Sequence, residues 1–290
     1  MPLQLTRARD PDDLDRLAFD FLAAREAEHN LLFGIIAGVR AGEYATPPYF
    51  AVVRDGERVV AVALRTPPLN LVLSTIDDPA AIGLLADDAL TLWPDLPGVL
   101  GPSEHARHFA DRWAARTGRA TSVRTAERVF RLEAVVPPRP ASGTMRLAAP
   151  PDRARIAAWF VEFGAEALHV TQDLSRMEAF TDRFIARLGG RSMYLWDDDG
   201  PVCMTGGSAV TPHGSRVGPV YTPPALRGRG YASALVAAVS QAQLDAGRRF
   251  CFLFTDLANP TSNKIYRDIG YEPVCDVDEH RFEAPAAADT

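Results

Sequence analysis

Three groups of residues in the second half of the chain have the types and spacing that chemistry needs. The first is the run Arg227-Gly228-Arg229-Gly230-Tyr231-Ala232-Ser233. Its glycines let a backbone approach an anion closely, and its two arginines favour negative charge. The apolar-periodic stretch that follows predicts a helix over 231–246, whose first N–H groups have no partner inside it. Such a loop is suited to holding phosphate. The second group is Asn259, Asn263 and Tyr266 in DLANPTSNKIYRDIGY. On a helix starting at Pro260 these fall at i, i+4 and i+7, which predicts one face carrying two amides and a phenol, with Ile265 and Ile269 turned toward a core. A cap, a solvated amide and a packed tyrosine is the plainer account of the same residues. The third group is Glu162 and Glu166, one turn apart on a helix predicted over 152–168, with Ile156, Trp159, Phe160 and Phe163 as its apolar face. Two such carboxylates accept a proton, attract a cation, or form a solvated acidic edge.

The elements that must position these groups follow from periodicity and chain breakers. RVGPVYT at 216–222 predicts a strand, stopped by Pro223 and Pro224. FCFLFTD at 250–256 is apolar almost throughout, as a strand covered on both faces must be. Asn259 is placed to cap the next helix, Pro260 suits its first position and Gly270 its left-handed stop. Before them come a strand at 144–148, a helix at 174–188 and a hairpin turning at Asp199-Gly200. Two short strands, YEPVCDV and EHRFEA, close the chain.

The first half runs in the same order. Helices are predicted over 12–23 and 28–41, a hairpin at Asp55-Gly56, a strand at 69–75 and a helix at 80–92. A strand near Val99, a helix over 103–117 stopped by Gly118, and a strand at 129–135 follow. The offset between halves is about 150 residues, which reads as one duplicated unit. With PPRPASG at 137–143 as a linker, the expected division is 1–136 and 144–284, with a disordered tail at 285–290. The offset sets the glycine loop against Asp77-Asp78-Pro79-Ala80-Ala81-Ile82, which has no glycine and two carboxylates that repel phosphate. It sets Tyr266 against Ala114 and Asn259 against Arg107. The chemistry is therefore expected in the second half.

Composition bounds the partners. A chain of 290 residues has room for two domains, and a net charge of −6 argues against a nucleic-acid partner. No stretch approaches the roughly 18 apolar residues of a membrane span, and MPLQLTRARD lacks a signal peptide's apolar core. A cytoplasmic protein without a membrane partner is expected. Cys203, Cys251 and Cys275 are far apart and form no C-x-x-C pair, so neither a zinc site nor a disulfide framework is suggested. His105 and His108 could share a helical face, but no third ligand accompanies them and no metal is expected. Oligomeric state is not legible.

A bare G-x-G is shared by several nucleotide folds. A Rossmann unit would use strand, G-x-G, helix and a second strand ending at Asp256 to meet a ribose. Against it, Ser233 stands where the third glycine belongs, and the segment follows a hairpin instead of opening a βαβ unit. A P-loop lysine is missing.

Taken together, residues 143–284 resemble the GNAT superfamily of acyl-CoA N-acyltransferases. The resemblance rests on R-x-x-G-x-A, here Arg227, Gly230 and Ala232, after VYTPP and before the N-P-T-S-N-x-x-Y helix closed by Gly270-Tyr271. It implies an α/β fold of the α+β kind: a mixed, mostly antiparallel twisted sheet with flanking helices, here in two tandem copies of which the first is degenerate. It implies acetyl-CoA as acyl donor, lying in a split of the sheet along Val220-Tyr221-Thr222, with backbone bonds at Val220 and Thr222. The pyrophosphate would rest on the N–H groups from Gly228 to Ser233. Asn259 and Asn263 would lie near the pantetheine arm, and Tyr266 would protonate the leaving thiolate. A small primary amine would attack the thioester directly, with Glu166 or Glu162 as base; His169 and Tyr221 are lesser candidates. An acyl-CoA-binding module without catalysis is the rival expectation.

Overall fold

Alternation along each strand decides which helices cover which face. In β2 (Tyr49–Asp55) the side chains of Tyr49, Ala51 and Val53 enter one core and those of Phe50 and Val52 the other. The first core is closed by α3 (Ala80–Leu92) and α4 (Ser103–Thr117) through Ile82, Leu85, Phe109 and Trp113. The second is closed by α1 (Pro11–Ala23) and α2 (Asn30–Arg40) through Leu14, Leu22, Leu32 and Ile36. The computed structural model describes residues 2–167 and 170–283. His169 and the tail after Ala284 lie outside the described residues.

The chain forms two units. One runs to Val129 and takes in the chain from Val274; the other spans Phe130–Pro273. In the first unit β1 (Gln4–Ala8), β2, β3 (Arg58–Arg65), β4 (Leu71–Leu73) and β5 (Gly98–Pro102) are neighbours in that order, followed by β12 (Glu272–Phe282) and β6 (Thr121–Leu132). Only β4 and β5 among the registered pairs of this unit run parallel. The hairpin turn falls at Asp55-Gly56, with Gly56 at φ 59°.

The second unit repeats the order with β7 (Thr144–Leu147), α5 (Arg153–Ala167), α6 (Leu174–Ile185), β8 (Arg191–Asp197), β9 (Pro201–Ser208), β10 (Gly214–Tyr221), α7 (Tyr231–Asp245), β11 (Phe250–Asp256) and α8 (Pro260–Ile269). Asp199 and Gly200 both have positive φ in the tight turn that joins Asp197 to its strand partner Pro201. Its two cores again divide by strand alternation. Cys203, Val217, Cys251 and Leu253 meet α7 and α8, whereas Met193, Leu195, Met204 and Tyr221 meet α5 and α6.

Two predicted elements are corrected. The closing strands are one continuous strand, β12, pairing antiparallel with β5 from Val277 opposite Pro102 to Arg281 opposite Gly98. From Val274 it groups with the first unit. Phe282 explains this, because its ring stacks on Trp113 at 5.2 Å and fills the first unit's core. Arg119 then fastens the strand end through the carbonyls of Phe282 at 2.9 Å, Leu96 at 3.2 Å and Glu283. β6 begins at Thr121, well before the predicted 129; Ser122, Val123 and Arg124 are exposed, so this end of the strand lacks the apolar run that marks it from Val129. The segment 137–143 has neither helix nor strand, yet Trp196 Nε1 donates to the Ser142 carbonyl at 2.6 Å and holds it in place.

Candidate active site

β10 stays paired with β9 to Tyr221 but stops pairing with β11 partway. Its parallel register with β11 covers Gly214 to Arg216, opposite Phe250 to Phe252. Between Val217 and Val220 its antiparallel register with β9 shifts at a bulge. Gly206 on β9 is required there, because a Cβ would lie 2.5 Å from the Gly218 carbonyl oxygen. Beyond Arg216 the two strands part, leaving backbone of β10 and β11 that the parallel ladder does not use.

The glycine loop lies beyond the end of β10. Gly228 at φ 77° and Gly230 at φ 83° adopt the left-handed conformation that glycine tolerates, and no atom lies within 4 Å of a Cβ built on Gly228. The Ala234 N–H donates to the Gly230 carbonyl at 3.0 Å, so α7 starts its ladder there. The N–H groups of Tyr231, Ala232 and Ser233 consequently point out of the helix start, at the positive end of its dipole. Arg229 is exposed beside this start.

Tyr231 is mainly a packing residue. It is buried in the α7 core, and its hydroxyl donates to Asp198 Oδ2 at 2.5 Å. Ser142 donates to the same oxygen at 2.7 Å. These bonds and the Arg229 charge hold the Asp198 carboxyl below its ordinary range. The role of Asp198 in seating the loop was hidden in the sequence, where DDDG reads only as a turn.

The other predicted ligands separate onto two faces. Thr222 is buried, its hydroxyl donating to Cys203 Sγ at 3.1 Å, and Val220 packs toward α7. Tyr221 turns to the opposite face, where its hydroxyl meets Glu162 Oε2 at 2.8 Å and Glu166 Oε1 at 3.3 Å. Burial and the two carboxylates raise the Tyr221 phenol above its ordinary value. Arg227 is engaged at the end of β10 and on α5. Its Nε donates to the Thr222 carbonyl at 2.8 Å and its Nη2 to Glu166 at 2.5 Å.

On α8 the amides serve the backbone. Asn259 Oδ1 accepts the Ser262 N–H at 3.0 Å as the helix cap. Asn263 Nδ2 donates to the carbonyls of Asp256 at 2.8 Å and Asn259 at 2.7 Å, which fixes α8 to the end of β11. Asn263 Oδ1 is a buried acceptor without a partner in the structure. The predicted division into a polar and an apolar face fails at Tyr266, which shares its core with Ile269 and is only 7% exposed. Its ring lies 6.5 Å from Phe130 and 6.1 Å from Tyr271. Burial raises the Tyr266 phenol well above its ordinary value, with the neighbouring Cys203 adding to the effect, so the hydroxyl stays protonated near neutrality.

The equivalent region of the first unit is built differently. Asp78 Oδ1 accepts the Ala80 N–H at 2.9 Å and so occupies the start of α3. The His105–His108 pair is also engaged: His105 Nδ1 accepts the Ile76 N–H at 3.2 Å, and His108 Nε2 meets Arg107 at 2.9 Å. Among the described residues no helix is long and apolar enough to cross a membrane.

Comparison with known proteins agrees with this architecture. The model of the FR47-like protein family matches residues 203–280. A GNAT-family acetyltransferase from Colwellia psychrerythraea is similar with a TM-score of 0.61 at 10% identity, covering 97% of this chain and 99% of its own. A GCN5-related N-acetyltransferase from Sphaerobacter thermophilus gives 0.62 at 19% identity, with 96% and 95% covered. A tandem GNAT protein from the clavulanic acid biosynthesis pathway gives 0.59 at 16% identity, with 98% and 100% covered. No curated protein matches this sequence. The mixed sheet and its flanking helices are those of a GNAT fold and not of a doubly wound Rossmann sheet, and the FR47-like match spans β9 to β12, including the parted strand, the glycine loop and Tyr266.

Proposed function

We propose that the second unit is an N-acetyltransferase that binds acetyl-CoA along β10 and at the start of α7 and passes the acetyl group to a primary amine of a small molecule. One observation carries this reading: the β10–β11 ladder ends at Arg216 and Phe252, beside a helix start whose glycines hold three N–H groups open. Unused strand backbone is suited to an amide-bearing pantetheine arm, and the helix start to a diphosphate. Asn263 Oδ1, a buried acceptor, suits an N–H of the same arm. The free thiols of Cys203, Cys251 and Cys275 accord with a reducing, cytoplasmic setting.

In this reaction the amine nitrogen attacks the thioester carbonyl carbon. A C–N bond forms, the C–S bond breaks, the sulfur gains a proton, and the amine nitrogen gives up the protons that it no longer holds as an amide. An alkyl ammonium has a pKa of about 10, so a proton must leave before attack. Glu162 and Glu166 supply carboxylates for that proton or for the charge of the ammonium. A backbone N–H of the parted strand polarises the carbonyl, and the protonated Tyr266 hydroxyl is the donor to sulfur. The test is a free-thiol release assay with acetyl-CoA and a panel of small amines, amino acids, antibiotics and peptides, with products identified by mass. Release of coenzyme A with a product heavier by one acetyl group supports transfer.

A second reading, an acyl-CoA-binding module without catalysis, draws on the deep burial of Tyr266. Binding of acetyl-CoA with no thiol release across the panel would favour it.

A further inference from the structure

Arg227 belongs to the loop that the sequence assigns to an anion, yet its guanidinium is aimed elsewhere. Nε donates to the Thr222 carbonyl at 2.8 Å, and Nη2 donates to Glu166 Oε2 at 2.5 Å. The guanidinium carbon lies 5.8 Å from the centre of the Tyr221 ring. These partners sit at the end of β10 and on α5, and the Tyr221 hydroxyl joins the same two carboxylates. A guanidinium presents its donors as a rigid planar fork, so committing two of them to Thr222 and Glu166 fixes the orientation of the group.

The charges at this end follow from that geometry. Glu166 is opposed by Arg227. Glu162 receives the Tyr221 hydroxyl, a neutral donor. Resting on the acyl-transfer reading above, we propose that Arg227 is a positioning residue of the acceptor end and not a ligand of the donor pyrophosphate. It anchors the Thr222 carbonyl, neutralises Glu166 and leaves Glu162 as the carboxylate that meets the amine. Arg229, exposed at the start of α7, is the arginine that faces the diphosphate.

The experiment titrates coenzyme A into wild type, Arg227→Gln and Arg229→Gln by calorimetry. Arg227→Gln should bind within about 2-fold of wild type, and Arg229→Gln about 10-fold more weakly, the scale of one lost charge-assisted bond. Equal or greater weakening in Arg227→Gln overturns the assignment. In turnover, Arg227→Gln should raise the amine KM at unchanged donor KM, and Arg227→Lys should recover part of the loss. A raised donor KM at unchanged amine KM contradicts it, and a purely structural role would move both together. The pair itself is checked by thermal melts of Arg227→Gln, Glu166→Gln and the double variant, where additive losses would overturn the contact. Failure of wild type to bind coenzyme A would instead remove the acyl-transfer reading on which the proposal rests.

Discussion

The Asp78 carboxylate accepts the backbone N–H of Ala80 at 2.9 Å, closing the start of α3. The matching start of α7 has Gly230 in place of a side-chain cap and leaves its N–H groups open. The two halves share an order of elements, but their helix starts differ in how the first N–H groups are met.

Gly230 gives the first expectation. At φ 83° a side chain is strained by roughly 1–2 kcal/mol, although the nearest atom to its Cβ, on Ala141, is a comfortable 3.7 Å away. Gly230→Ala should therefore lower the melting temperature by several degrees and weaken coenzyme A binding, read by thermal melts and calorimetry. Unchanged affinity would remove the loop from the donor site.

Tyr266→Phe removes one buried hydroxyl and leaves the ring packed on Phe130 and Tyr271. We expect turnover to fall by about 10-fold or more with donor affinity unchanged. Because the phenol is raised, no loss of rate from its ionisation should appear below about pH 10. Full turnover in the variant would exclude Tyr266 as the proton source.

His29 makes the first unit sensitive to acid. It is fully buried, its Nε2 accepts the Thr75 N–H at 3.1 Å, and Nδ1 therefore donates to the Leu22 carbonyl at 3.0 Å. Burial lowers its pKa to about 4. A base whose folded pKa is depressed binds its proton more readily when unfolded, so this stability is complete above about pH 6.5 and is lost as pH falls toward 4. Melts across that window should show the loss, and His29→Gln should flatten it.

Arg119 is a clasp on the final strand. Arg119→Ala strips donors from buried carbonyls of Leu96 and Phe282 and should cost a few kcal/mol. Hydrogen exchange should show lost protection over Val277–Phe282; unchanged protection would contradict the clasp.

Much of this was legible in the sequence because local signals were strong. Asn259, Pro260 and Gly270 bounded α8, Gly118 ended α4, and the two Asp-Gly pairs marked the hairpins. The glycine loop was legible for the same reason. What sequence hid depends on long-range contact. Nothing near Phe282 states that its ring stacks on Trp113, a contact between residues far apart in the chain. Arg227 reads as an anion ligand, and its contact with Glu166, sixty-one positions earlier, is not visible in the sequence. Asn263 looked like a free amide, but its nitrogen is committed to two carbonyls of the preceding loop.

The central claim is that acetyl-CoA binds once, at the glycine loop of the second unit. Calorimetric titration of the full chain tests it most directly. We expect one equivalent per chain, with binding weakened by Gly230→Ala and unaffected by Asp78→Ala. No binding, or binding of two equivalents, would contradict the account.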